Sequence, residues 1–216
     1  MDKKPFFSVI LPIHNAEGYM RKMLDSIRAQ TYRNYELILV CDKCTDRTAE
    51  IAREYSDIVL EVSFGNAGPS RNIGLDIAKG EWVLFADDDD WFLHPYVFEN
   101  IAQMLEGDDE LEILAFSFIW KLDEKNSYTH AFRPNAAYNM WVAPWTKAWR
   151  RSFIGKHRFP TNWKHSDDLG FAEEMHPLMR KVMFWDQAVY YYNYMHEGST
   201  QWKLKTGELS NDDMRG

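Results

Sequence analysis

Trp82-Val83-Leu84-Phe85-Ala86-Asp87-Asp88-Asp89-Asp90-Trp91 joins an apolar run to four consecutive carboxylates. The apolar part has the length of a buried strand, and the acidic part begins where that strand ends. Two ionised carboxylates about 4 Å apart repel by about 4 kcal/mol at an effective dielectric of about 20. A fold tolerates this at a strand end if the groups splay into water or share a cation. Two readings stand. One is a solvated acidic turn capping a helix that begins near His94. The other is an oxygen-only site for Mg²⁺ or Mn²⁺, ions that also bind phosphates. The apolar strand ahead of the aspartates favours the second.

Upstream of this stretch, strand and helix patterns alternate. Phe7–Ile13, Tyr35–Cys41 and Ile58–Val62 are short apolar runs, and Trp82–Ala86 is the fourth. Between them, Gly18–Ala29 carries apolar residues at helical spacing. Asp46–Tyr55 is a second helical segment with Thr45 or Asp46 as N-cap, and Gly68–Ala78 is a third, with Pro69 suited to its first turn. His94–Glu106 continues the alternation. The pattern predicts a doubly wound α/β sheet with mainly parallel strands, whose ligands bind beyond the strands' carboxyl ends. After Leu111 the pattern changes. Glu112–Lys121 reads as a strand, Leu169–Lys181 as a helix, and Val182–Trp185 and Val189–Met195 as short strands. Seven of the nine tryptophans lie between Trp120 and Trp202, which marks this half as chemically distinct.

The 216 residues fit one domain: a first half over about 6–110, a second over about 111–202, and a polar tail, 203–216. Apolar residues make up 45%, enough to support a core and exclude a mainly disordered chain. A net charge of −8 argues against broad binding to nucleic acid or anionic lipid. No apolar run reaches the ~20 residues of a membrane span, and the opening residues lack a secretion signal, so a cytoplasmic protein is expected.

Four further constellations follow strands or open helices. Asn66-Ala-Gly-Pro-Ser-Arg71-Asn72-Ile-Gly74 has small residues that let a ligand reach backbone N–H groups, and Arg71 suits a carboxylate or phosphate. It also reads as an ordinary helix start with a surface arginine. Cys41-Asp42-Lys-Cys44 has redox spacing, but zinc would need two more ligands, and two ordinary thiols are favoured. His165-Ser-Asp167-Asp168 opens a helix, as either an N-cap or a general base poised in a pocket. The aromatic second half offers faces for sugar rings, although a hydrophobic core claims most of them.

Together these segments resemble the family 2 glycosyltransferases of the GT-A fold. Ser8-Val-Ile-Leu-Pro12-Ile-His14-Asn15 is similar to the family's first strand, which usually ends Pro-x-Tyr-Asn; His14 stands for the Tyr. Ser26 to Val40 is similar to its Ser…Gln-Thr…Glu-Ile-Ile-Val stretch, and Asp42 to Thr48 resembles Asp-Gly-Ser-Thr-Asp-x-Thr. Asn66-x-Gly68…Arg71-Asn72-x-Gly74 and Gly80 to Asp90 resemble two further motifs. Trp145-Thr-Lys147, Phe159-Pro160, Asp167-Asp168, Tyr190-x-Tyr192 and Ser199-Thr200 follow in family order. The resemblance spans about residues 6–202.

The resemblance implies a mixed, mainly parallel GT-A sheet flanked by helices, with an aromatic-rich acceptor half. It implies an inverting, metal-dependent transferase that moves a sugar from a nucleoside-diphosphate sugar, UDP by default, to an acceptor hydroxyl. The acceptor would be a carbohydrate or lipid-linked glycan of surface polysaccharide synthesis, with no nucleic-acid partner and at most peripheral contact with the inner face of the membrane. Pro12, His14, Asn15, Asp42, Asn66, Arg71, Asp87 and Asp88 would bind the nucleotide sugar. Asp89 and His196 would hold Mn²⁺ or Mg²⁺, and Asp168 would be the general base. A sugar nucleotidyltransferase would show a glycine-rich basic phosphate loop near the first strand, and His14-Asn-Ala-Glu-Gly18 is not one. A degenerate sugar- or nucleotide-binding domain would be expected to lose the acidic cluster or the base, and both are present.

Overall fold

The computed structural model describes residues 4–121, 127–130, 142–162, 167–193, 203 and 205–208. The first half alternates as β1 (Phe7–Ile13), α1 (Arg21–Arg28), β2 (Tyr35–Asp42), α2 (Thr48–Arg53), β3 (Ile58–Val62), α3 (Ala67–Ile77) and β4 (Trp82–Phe85). The chain continues through β5 (Trp91–Phe92), α4 (Val97–Leu105), β6 (Ile113–Lys121), β7 (Ser127–His130), β8 (Lys147–Arg150), α5 (Arg151–Ile154), α6 (Asp167–Met175) and β9 (Val182–Tyr192). One sheet runs β3-β2-β1-β4-β8-β6-β9-β5, with β7 paired to β6.

Every residue of β1 is buried, as a central strand covered on both faces requires. It pairs in parallel with β2 on one side and β4 on the other. β2 pairs in parallel with β3. The four carboxyl ends therefore share one edge, and His14, Asp42, the 63–66 loop and the Asp87–Asp90 run all emerge there. Helix α3 lies close on β1 because Gly74 has no side chain: a Cβ there would sit 2.5 Å from Ile10 Cγ2. Gly80 is equally constrained, since a Cβ would fall 2.4 Å from Ser8 N.

β8 inserts antiparallel between β4 and β6 and ties the two halves into one sheet. The sequence pattern did not predict β8. It is only four residues long, Lys147-Ala-Trp-Arg150, with a basic residue at each end, yet Lys147 is fully buried. β9 is one strand where two were expected. Phe116 pairs with Trp185 and Ser117 with Ala188, so the exposed Asp186 and Gln187 bulge out of the ladder without ending it. Helix α6 stops at Met175 and continues as a 3₁₀ turn, His176–Leu178, because Pro177 lacks the N–H that a longer α-helix needs.

Among the described residues, Phe116, Phe118, Trp145, Trp149, Phe159, Phe171 and Tyr190 place second-half aromatics in the core. Trp145 stacks on Tyr190 at 4.8 Å, Phe118 meets Trp145 edge-on, and Phe159 stacks on Phe171 at 4.1 Å. Trp149 and Tyr190 are fully buried. Among the described residues, no helix is long and apolar enough to cross a membrane.

Candidate active site

The carboxyl-end edge is a network of carboxylates, each with its own partner. Asp42, the last residue of β2, is 5% exposed. Its Oδ1 accepts the backbone N–H groups of Phe64 (2.7 Å) and Gly65 (2.9 Å), and its Oδ2 accepts that of Asn66 (2.8 Å). Ser70 Oγ lies 3.2 Å from the same Oδ2. Asn66 then caps α3, its side-chain oxygen accepting the Gly68 N–H. Pro12 is buried within β1 opposite Val40.

His14 and Asn15 follow β1 and are exposed. The His14 ring places Nδ1 2.6 Å from the Asp42 carbonyl, and its backbone N–H donates to Asp88 Oδ2 at 3.2 Å. Asn15 has a positive φ of 46° and accepts the Thr45 N–H at 2.8 Å, which joins the β1 and β2 ends. Cys41 is buried, and the Cys44 thiol lies 3.5 Å from the Ile13 carbonyl. Both are free cysteines, as favoured from the sequence.

The four consecutive aspartates divide as a splayed turn must. Asp87 turns to Arg71, Asp88 to the His14 N–H, and Asp90 into the core, where Oδ1 accepts the Asn193 N–H at 2.8 Å. Asp89 stays half-buried. Burial, then the neighbouring Asp89 charge, pushes the Asp88 and Asp90 carboxyls well above the usual carboxylate range. Tyr190 secures the turn from β9, its hydroxyl accepting the Asp87 N–H at 3.0 Å.

Arg71 is the hub. Its guanidinium donates to Asp87 (2.7 Å), Asp167 (2.7 Å) and Asp168 (3.0 Å), and its side chain is 5% exposed. A planar fork suits several carboxylates at once, which a lysine would not. The close approach of α6 needs Gly68, where a Cβ would lie 2.9 Å from Asp167 Cβ. Asn72 locks the same junction, donating to the Phe159 carbonyl (2.9 Å) and accepting the Phe159 N–H (2.8 Å). The start of α6 is thereby pinned to α3 and to the end of β4.

One guanidinium among three carboxylates leaves an excess of negative charge. Burial pushes Asp168 up to about 8; Arg71 opposes this, and Asp167 and Asp87 reinforce it. Burial likewise raises Asp87 against the pull of Arg71. Lys147, fully buried, donates to the Ala143 carbonyl (3.1 Å) and Thr146 Oγ1 (2.9 Å), and burial pushes it down to about 7 despite the Asp168 charge. The local sequence gives no separate role to Asp167, Asn72, Lys147 or Tyr190. All four lie in the quoted motifs, but only the folded chain brings them to the cluster.

Among the described residues, no group of three or more His, Cys, Asp or Glu side chains is arranged to hold a metal. His196 lies outside the described residues. The half-buried Asp89, beside Asp87 and Asp88 at the strand-end edge, fits a hard cation that takes one or two protein oxygens and completes its shell with phosphate and water. The arrangement thus combines a buried acidic turn, an arginine-held carboxylate of raised basicity, and a loop-lined edge beyond parallel strands.

The match to known proteins agrees with this geometry. The family model for glycosyl transferase family 2 matches residues 8–182. "Glycosyltransferase GlyA" of Streptococcus pneumoniae is 30% identical over 86% of this chain, and "Putative glycosyltransferase EpsH" of Bacillus subtilis is 29% identical over 87%. The chain spans 30% and 60% of their respective lengths. The Staphylococcus aureus TarS 1-349 structure in complex with UDP-GlcNAc superposes with a TM-score of 0.78 at 24% identity, over 90% of this chain and 60% of that one. A Pyrobaculum calidifontis mannosyltransferase, solved with GDP-Man and Mn²⁺, superposes at 0.70 with 19% identity, over 96% of this chain and 62% of that one. These superpositions show the shared GT-A-like fold, and the family match over most of the chain places it among the family 2 glycosyltransferases.

Proposed function

We propose that the chain is an inverting, metal-dependent transferase that moves a sugar from a nucleoside-diphosphate sugar, UDP first among the candidates, to an acceptor hydroxyl. The observation that carries this reading is the Arg71 bridge. It holds Asp168, from the second half, beside Asp87 at the strand-end edge, which brings a proton acceptor to the expected donor site.

The nucleotide lies along the carboxyl ends of β1, β2 and β4, beside His14, Asn15, Asn66, Asp87 and Asp88. Asp89 would hold a divalent cation, Mn²⁺ or Mg²⁺, which would supply charge neutralisation for the donor diphosphate. The acceptor hydroxyl approaches between Asp168 and the donor carbon. As its oxygen bonds to that carbon, Asp168 takes the hydroxyl proton and the carbon–phosphate-oxygen bond breaks, releasing the nucleoside diphosphate. One displacement from the opposite face inverts the anomeric centre and needs no covalent sugar–enzyme intermediate. A raised pKa suits Asp168 to this task, because a base works best when its pKa lies near the operating pH. The acceptor is proposed to be a carbohydrate or lipid-linked glycan of surface polysaccharide synthesis, reached from the cytoplasm with at most peripheral membrane contact.

The test is UDP release from a panel of UDP-sugars with candidate acceptors. Asp168→Asn should lower turnover by about 10²- to 10⁴-fold and leave nucleotide affinity within about 2-fold. Retained turnover in that variant would remove Asp168 from the role of base.

A further inference from the structure

We infer that His14 Nε2, and not the Asp42 carboxylate, accepts the ring imino N–H of the donor base. The site would therefore select nucleotides that carry such a donor (uracil, thymine or guanine) over cytosine and adenine. This rests on the nucleotide-sugar reading and deepens it.

Asp42 has little left to offer a ligand. An ionised carboxylate accepts about four hydrogen bonds. Three are taken by the backbone N–H groups of Phe64, Gly65 and Asn66. Ser70 Oγ covers the remaining direction at 3.2 Å. With 5% of the residue exposed, a base has no approach to these oxygens that does not first break the loop. Asp42 organises the 64–66 loop, and its carboxylate is already spent.

His14 is the neighbouring acceptor that does face solvent. A carbonyl can only accept, so the 2.6 Å contact with the Asp42 carbonyl puts the ring proton on Nδ1. In the neutral ring, Nε2 then carries a lone pair. The Asn15 amide agrees with this assignment: its oxygen accepts from Thr45 N, so its NH₂ is the group facing Nε2, and it does so at a long 3.5 Å. A contact that long and exposed yields readily to a better-aligned ring N–H. The chain thus presents an oriented acceptor at the end of β1, where a tyrosine is usual in the resembling family.

The experiment compares UDP with N3-methyl-UDP, which lacks the imino proton, by calorimetry in Mn²⁺ for the full chain and two variants. The unaltered chain should bind UDP about 10-fold more tightly than the methylated analogue. His14→Phe keeps a flat ring but deletes the acceptor, so the two ligands should then bind alike. Asp42→Asn should retain the preference even where both affinities fall. His14 is exposed, so its variant is informative even if Asp42→Asn does not fold. Equal binding of both ligands to the unaltered chain would overturn the inference. So would a preference that survives in His14→Phe, whatever Asp42→Asn does. Failure of UDP, dTDP and GDP alike to bind would instead overturn the nucleotide-sugar reading itself.

Discussion

Replacing Arg71 with methionine tests how the two halves are held together. The side chain is 5% exposed and makes three charge-assisted contacts, at 2.7, 2.7 and 3.0 Å, with carboxylates from two separate parts of the chain. Methionine fills much of the volume but leaves Asp87, Asp167 and Asp168 facing one another without a cation. Removing one partner of a buried ionic cluster costs about 3–5 kcal/mol. For a domain of this size that is a fall in Tm of about 6–20 °C. The pH dependence is more specific. Arg71 lowers the pKa of Asp87 and Asp168, so the folded variant binds protons more tightly than the folded parent. Stability declines with rising pH wherever the folded state binds more protons than the unfolded one. The variant must therefore lose stability faster than the parent above the parent's own folded carboxylate values, about 8 for Asp168, so the gap is smaller near about pH 6 and wider near about pH 9 or above. Arg71→Lys restores the charge without the fork and should fall between the two. Urea unfolding at both pH values reads the effect. A gap below about 1 kcal/mol that does not change with pH would mean that Arg71 does not hold the three carboxylates together.

The raised Asp168 pKa, about 8, predicts that log kcat/KM climbs with a slope near one through the acid range and levels near that value, because only the ionised carboxylate accepts the proton; a flat profile from about pH 6 to 9 would contradict it. Lys147 is held at about 7 by burial, so the unfolded chain binds its proton more tightly between that value and the ordinary 10.5, and wild-type stability from this group rises with pH across that window. The Tm of Lys147→Met relative to wild type should accordingly be most favourable near about pH 7 and decline toward about pH 9; a constant difference would count against a buried charge. Gly80→Ala pushes a Cβ to 2.4 Å from the Ser8 nitrogen, on backbone that cannot swing away, and should cost about 1–3 kcal/mol in urea unfolding. An unaffected midpoint would mean that the β1–β4 neighbourhood yields more easily than its packing implies.

Much of the first half was legible because its physics is local. β1, β4 and most of β2 are apolar runs, and strands buried on both faces leave that signature, while β3, at the sheet edge, is half-buried and carries the exposed Glu61. The acidic run after β4 was readable as a strand-end cluster, and Arg71 and Asp168 could be singled out one at a time. The bridge between them could not. It joins residues separated by 97 positions, and nothing in either segment alone specifies the partner. β8 escaped detection because it offers only Ala148 and Trp149 between two basic residues, and nothing local marks Lys147 as buried. Asp42 shows the converse. Its place at the carboxyl end of β2 suggested a group facing a ligand, whereas the folded loop draws three backbone N–H groups onto it.

A metal-assisted donor site is tested by calorimetric titration with UDP in the presence of Mn²⁺, repeated after EDTA. Binding at one site should saturate and weaken at least about 10-fold when the metal is removed, and Asp89→Ala should lose this difference. Binding that EDTA leaves unchanged, or binding in which Asp89→Ala matches the parent with Mn²⁺, would contradict a metal-assisted donor site at the end of β4.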